Sequence, residues 1–133
     1  MLFGQEHVER YRETDGEEGH DWNGTSVLIL TTTGRQSGQP RSTPLIYGTH
    51  GDDYVVVASK GGAPEHPAWY LNLSDDPEVE LQVRGERFHA HARTATAEEK
   101  PELWSTMTAS WPPYDEYQAK TDREIPVVVL ERA

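Results

Sequence analysis

The sequence predicts a mainly β fold with peripheral helices, an antiparallel barrel with one helix in the middle of the chain and another near its end. Three observations carry that reading. Strand-like runs come in turn-linked pairs, residues 26–33 with 41–47 and residues 79–83 with 86–93, which is the pattern of antiparallel hairpins. Two more β-branched runs, 54–59 and 126–131, stand outside those pairs. The strands of each pair are joined by short Gly/Pro turns and not by the helical crossovers of a doubly wound parallel sheet.

Taken in order, residues 6–14 place Val8, Tyr11 and Arg12 at helical spacing, and Asp15-Gly16 stops the run. Residues 16–23 read as loop. Residues 26–33 are apolar and β-branched, a buried strand. A Gly/Pro turn over 34–40 leads to the returning strand at 41–47, where Pro44 confines it to an edge or a bulge. Residues 48–52 read as a second turn before the strand at 54–59, and Lys60-Gly61-Gly62 follows directly. The period then changes to that of a short helix over 67–73, with Pro67 at its first position and 74–77 ending it. The second hairpin alternates cleanly across Arg84-Gly85. Thr96 with Glu99 three residues on forms a capping box, starting a helix that runs to about Ser110. Residues 111–118 read as a kinked aromatic segment, and 126–131 as the closing strand.

With 133 residues, the chain has the length of one domain. We expect an acidic N-terminal segment, residues 1–24, partly helical or flexible, ahead of a barrel spanning 25–133. Cysteine is absent, which excludes a disulfide framework, a thiolate zinc site and a cysteine nucleophile. The longest apolar run, 54–58, is far short of the roughly 20 residues of a membrane span, and the N-terminus lacks a secretory pattern. The cytoplasm is the expected compartment. A net charge of -11, from 12 basic and 23 acidic side chains, sets the overall field against nucleic acid and anionic lipid. That charge is uneven: residues 1–24 carry seven acids and two bases, 64–133 fourteen and seven, and only 25–63, with two acids and three bases, is net positive.

No P-loop, Gly-x-Gly-x-x-Gly or Gly-x-Ser-x-Gly motif occurs. His89 and His91 share one strand face, but two ligands are too few for a metal and no third stands at telling spacing, so no metal is expected. His66 reads as loop or helix cap. The positive block is more informative. Arg35, Gln36, Ser37, Gly38 and Arg41 put two guanidiniums, a hydroxyl and unhindered backbone amides on one hairpin, with no acid between Asp21 and Asp52. The residues alone admit two readings, an anion cradle or an ordinary solvated glycine turn. Ser59, Lys60, Gly61 and Gly62 form a second anion-friendly element before a short helix. Trp69, Tyr70, Trp111, Tyr114 and Tyr117 supply either a flat wall for a planar ligand or core.

Three blocks of the sequence, residues 30–45, 57–73 and 114–128, identify a resemblance to the deazaflavin-dependent nitroreductases of actinobacteria, covering nearly the whole chain from about Val27 to Leu130 in the same order. The resemblance implies a split β-barrel. It also implies coenzyme F420, a deazaflavin with a phosphate and an oligoglutamate tail, whose reduced form donates hydride to a quinone, nitroaromatic or unsaturated lactone. By the same resemblance, Arg35, Gln36 and Arg41 contact the phosphate and tail, with Ser37, Gly38 and Pro44 in the same cofactor site. Ser59, Lys60, Gly61 and Gly62 line the cofactor, and Pro67, Ala68, Trp69 and Asn72 belong to the helix that follows. Tyr114 and Tyr117 match two tyrosines at the substrate end and share that pocket with Trp111, which departs from the tyrosine of nitro-prodrug-activating relatives. Their hydroxyls either bond the acceptor's oxygen and pass on a proton, or belong to a hydrophobic lid. Two other readings stand beside this reductase: a split barrel using flavin mononucleotide (FMN), and a non-catalytic deazaflavin carrier. The expected partner is a small-molecule acceptor, with no nucleic acid or membrane, and the chain is expected to be a monomer or a homodimer.

Overall fold

The computed structural model describes residues 2–133. Its strands are β1 (Asp21–Trp22), β2 (Thr25–Thr33), β3 (Pro40–Ile46), β4 (Gly48–His50), β5 (Asp53–Val57), β6 (Glu78–Val83), β7 (Glu86–Thr94) and β8 (Val127–Arg132). Four helices accompany them, α1 (Gly4–Glu13), α2 (Ala68–Asp75), α3 (Lys100–Ser110) and α4 (Pro113–Ala119). Both hairpins form as the sequence predicts, β2 with β3 from Val27↔Ile46 to Thr33↔Pro40 and β6 with β7 from Glu78↔His91 to Val83↔Glu86. The ladder runs β2, β6, β7, β8, β5, β4, and β3 lies against the other edge of β2. Beyond Ile46 the chain passes through Tyr47 straight into β4, which carries it across from one end of the ladder to the other. This is a split antiparallel barrel, with its opening between β3 and β5.

Pattern and packing agree residue by residue. Leu28 and Leu30 of β2, Val56 of β5 and Val128 and Leu130 of β8 point into the barrel with Leu81, Ala90 and Ala92. Their neighbours point outward, and each outward face is covered. Val27 and Ile29 meet Val8 and Tyr11 of α1, while Val55, Val57, Val127 and Val129 meet Leu103 and Met107 of α3 and Tyr114 of α4. Strands covered on both faces read as unbroken apolar runs. In β7, by contrast, Ala90 and Ala92 are buried while His89 and His91 are exposed, so that strand alternates. His91 Nδ1 lies 2.8 Å from Glu78 Oε1 across the hairpin.

Four local expectations change. Residues 16–23 are not all loop: Asp21–Trp22 pairs with Thr25–Ser26 as β1, too short a strand to leave a period in the sequence. Residues 48–52 are not all turn: Gly48–His50 pairs with β5, leaving Gly51 (φ +62°) and Asp52 as the two-residue connection. Gly, Thr and His give no apolar alternation, so the strand left no trace in the pattern. The helix expected from Thr96 begins as α3 only at Lys100, although the capping box itself forms. Glu99 Oε1 accepts from the Thr96 N–H at 2.8 Å and the Glu99 N–H bonds Thr96 Oγ1 at 3.3 Å. A hydrogen bond from Arg93, then that of the Thr96 N–H, pulls the Glu99 carboxyl down to about 2. The aromatic segment 111–118 is mostly helix α4, with proline in its first turn and Tyr114 buried.

Candidate functional site

Two grooves of about 440 Å³ and about 450 Å³ meet at Thr43 and Trp69, on the side of the barrel where β3 leaves its edge unpaired. The first is polar. It lies between the β2–β3 turn, with Arg35, Gln36, Ser37 and Arg41, and helix α2, with Ala68, Trp69 and Asn72. The second is apolar and aromatic, bounded by Pro44 of β3, Ser59, Lys60, Gly61 and Pro67 of the loop after β5, and Trp111, Tyr114 and Tyr117 around α4.

The turn of the first groove is shaped by its glycines and one serine. A Cβ on Gly34 would lie 2.7 Å from Ser37 Oγ, Gly38 turns the chain with φ +70°, and Ser37 Oγ accepts from the Gln39 N–H at 3.2 Å. Asn72, 5% exposed, fastens this turn to α2. Its Oδ1 accepts from the Arg35 backbone N–H (3.2 Å) and guanidinium (3.0 Å), and its Nδ2 donates to Thr32 Oγ1 at 3.2 Å. Each polar atom of a buried amide is thereby used, and the arginine is aimed by it. Arg35 and Arg41 are both exposed, and among the described residues neither has a carboxylate within 4.0 Å. Two guanidiniums without a carboxylate partner concentrate positive charge beside one groove of an acidic protein. Lys60 differs, since its Nζ lies 3.4 Å from the exposed Glu65 carboxylate.

The second groove is framed by a left-handed turn. Lys60, Gly61 and Gly62 have φ of +46°, +63° and +84°, a conformation that a lysine rarely takes. Gly61 has open space where a Cβ would sit. Gly62 instead is buried against α4, where a Cβ would lie 2.7 Å from the Tyr117 carbonyl oxygen. Trp111 Nε1 donates to Tyr117 Oη at 3.4 Å, which leaves the tyrosine's own hydrogen to be donated elsewhere. Tyr114 stands with its ring 6.1 Å from that of Tyr117. Burial, reinforced by Tyr117, pushes its hydroxyl well above the ordinary tyrosine range, so it remains a neutral O–H donor.

Of the residues singled out in the sequence, Arg35, Gln36, Ser37, Arg41, Ala68, Trp69 and Asn72 line the first groove. Pro44, Ser59, Lys60, Gly61, Pro67, Trp69, Trp111, Tyr114 and Tyr117 line the second. Gly38 and Gly62 line neither, and act on shape from behind. Trp69, for which wall and core were equal readings, is half-buried and borders both grooves. The N-terminal wall was not among the residues singled out in the sequence. Phe3, His7 and Trp22 close the far side of the second groove, with Trp22 5.9 Å from Trp111 and 5.8 Å from Phe3 between ring centroids. His7 Nε2 donates to the Gly19 carbonyl at 2.8 Å. The one signal available was the presence of Phe3 and Trp22 in an otherwise polar segment. No helix among the described residues is long and apolar enough to cross a membrane.

Residues 3–132 match the family described as F420H(2)-dependent quinone reductase. An F420H(2)-dependent quinone reductase of Mycobacterium tuberculosis is 43% identical over 126 residues, which is 92% of this chain and 85% of that protein. Among solved structures, one described as an F420-H2 dependent reductase (FDR-A) is 42% identical with a TM-score of 0.73, over 79% of this chain and 93% of its own. Another, described as a domain-swapped dimer, is 39% identical with a TM-score of 0.77, over 96% of each chain.

Proposed function

The chain belongs to the F420H(2)-dependent quinone reductase family, and from that premise we propose that it reduces a quinone with reduced F420 bound across the two grooves. The observation that carries the assignment of groups is the junction at Thr43 and Trp69, where a cationic groove runs into an aromatic one. A ligand with an anionic tail and a planar ring has that same division. The residues fit the cofactor, because Arg35 and Arg41 lack carboxylate partners within 4.0 Å among the described residues and Gly61 leaves its side of the turn open. When bound, reduced F420 supplies the hydride.

The chain's residues bind, orient and supply a proton. Arg35 and Arg41 hold the anionic tail, with Asn72 fixing Arg35 in the direction of the groove. Trp69 and Pro67 form the flat apolar border, and Ser59 to Gly61 give backbone and hydroxyl groups at the ring end. Holding donor and acceptor together lowers the entropic part of the barrier. A reduced quinone oxygen gains negative charge and needs a proton. Tyr117 is the group we assign to it, because Trp111 donates to the Tyr117 oxygen and frees its O–H hydrogen for the acceptor. Tyr114, more deeply buried, closes the apolar floor. We assign the protein to the cytoplasm, where reduced cofactor and a cysteine-free chain are both at home.

Titration of the purified chain with F420 and with FMN, read by tryptophan fluorescence, followed by turnover of reduced F420 with menadione, tests the assignment. Binding of F420 and quinone-dependent oxidation are expected. Tight FMN binding without response to F420 would replace the cofactor. Binding of F420 with no oxidation by quinones, nitroaromatics or enones would make the protein a carrier.

The proton assignment has its own measurement. Tyr117→Phe is expected to lower kcat by about tenfold, the worth of one hydrogen bond of roughly 1 kcal/mol or slightly more, with F420 affinity unchanged. Equal turnover by the variant removes the hydroxyl from the reaction.

A further inference from the structure

Arg123 lines neither groove, yet it makes more hydrogen bonds to the loop after β5 than any residue assigned above. Half-buried between α4 and β8, it donates from Nε to the Ala63 carbonyl (2.8 Å), from Nη2 to the Ser59 carbonyl (2.7 Å), and from Nη1 to the Ala58 carbonyl and His66 Nδ1 (both 3.2 Å). All four partners are uncharged acceptors. His66 accepts on Nδ1, so it carries its proton on Nε2 and is neutral; burial and then the nearby guanidinium charge lower its pKa in keeping with that.

The placing of the three carbonyls is what gives this contact meaning. Ala58 and Ser59 precede, and Ala63 follows, the run Lys60, Gly61 and Gly62 whose φ values are all positive. Within that run the turn makes only two short bonds of its own, Gly62 N–H to Ser59 O at 2.9 Å and Ala63 N–H to Lys60 O at 3.1 Å. A sparsely populated backbone persists only where its surroundings over-determine it. The planar five-donor fork of arginine is suited to holding both ends of such a turn at once, and a lysine ammonium, a single point on a flexible stem, is not.

We infer that Arg123 is a positioning residue, a brace across the two ends of the 59–62 turn that keeps it in its ligand-receiving shape. This rests on the assignment of that turn to the cofactor above. The brace acts from behind the groove, so its loss changes how well the cofactor is held and not the chemistry once it is held.

The test uses the full chain with Arg123→Lys and Arg123→Gln, read by F420 affinity, by kcat at saturating cofactor, and by the rate of tryptic cleavage after the exposed Lys60 relative to the exposed Arg84 of the β6–β7 turn. Losing two or more hydrogen bonds from the guanidinium to the turn is expected to weaken F420 binding about tenfold, with kcat little changed. Cleavage at Lys60 is expected to accelerate several-fold without cofactor present, as local opening becomes easier. Arg123→Lys keeps the charge, so an effect shared by both variants belongs to the fork and not to the electrostatics. His66→Phe removes one acceptor only and is expected to move affinity and cleavage the same way by less; it decides the matter should the arginine variants not fold. Wild-type affinity and cleavage in these variants, with binding weakened in Arg41→Ala, overturns the brace alone. Wild-type affinity in Arg41→Ala as well overturns the cofactor assignment, and the brace with it.

Discussion

Gly62→Ala is expected to lower kcat/KM for quinone reduction by about 100-fold, the cost that a misplacement of about 1 Å near the chemistry can carry. The new Cβ would meet the Tyr117 carbonyl oxygen at 2.7 Å, Tyr117 Cα at 3.0 Å and Lys120 Cβ at 3.2 Å. Two of those atoms are helix backbone, which has no rotamer with which to yield. Either α4 moves outward with Tyr114 and Tyr117, or the 59–62 turn moves into the groove. A second cost arises from φ +84° at this position, about 1–2 kcal/mol for a residue with a Cβ in the left-handed region. Gly51→Ala, in the β4–β5 turn and lining neither groove, separates the two causes. Its φ is +62° but nothing lies within 4 Å of the new atom, so it carries the backbone strain without the collision. The measurements are kcat/KM with reduced F420 and menadione, and Tm for each variant. Both variants are expected to lower Tm, Gly62→Ala by more, with a large loss of turnover in Gly62→Ala alone. Equal turnover in the two variants removes the contact between turn and tyrosine helix as the cause.

Replacing Arg35 and Arg41 together by alanine is expected to weaken F420 binding by about 100-fold or more, since hydrogen bonds to charged groups contribute roughly 1.5–3 kcal/mol each. Each single variant is expected to lose about tenfold. Lys100→Ala is the control, because Lys100 pairs with Glu124 at 3.2 Å and lies over the Trp104 ring, away from both grooves. The net charge of -11 adds a test of sign. The wild-type chain binds its anionic partner through two local cations against a repulsive global field, and charges farther apart than about 10 Å are largely screened at 0.1 M salt. If the guanidiniums dominate, salt weakens binding to the wild-type chain. Once both are removed, the remaining groove cation, Lys60, is paired with Glu65 and the repulsive field dominates, so the same salt should strengthen what binding survives. Lys100→Ala matching Arg41→Ala, or one salt slope for wild type and double variant, contradicts the cradle.

The strands were legible because burial leaves its period in the sequence. The continuous apolar runs of β2, β5 and β8 report two covered faces, and the alternation of β7 reports one. Pro44 marked β3 as an edge strand, and its unpaired edge is where the second groove opens. Gly48–His50 was illegible because three residues without apolar alternation carry no period, and their strand identity comes from β5. In the candidate site, charge marked the first loop, since like charges without nearby acids stand out in an acidic chain, and the Lys-Gly-Gly run marked the second. Roles within the site were less visible. Asn72 looks in sequence like one more polar residue of the helix, and only its bonds to Arg35 and Thr32 make it a bracket.

By itself the sequence determined the barrel, its two hairpins and two cationic, glycine-bearing loops, while the family came from resemblance along nearly the whole chain. The strands and loops are local properties, set by side-chain period, backbone permissiveness and charge within a few residues. Tertiary structure alone decided that the two grooves meet at Trp69, that Phe3 and Trp22 from the acidic N-terminus close one of them, that Gly62 packs against the Tyr117 backbone, and that Arg123 hydrogen-bonds a turn some sixty residues earlier in the chain. Each of these joins residues distant along the chain, and a contact made by closing a barrel has no period for a sequence to record.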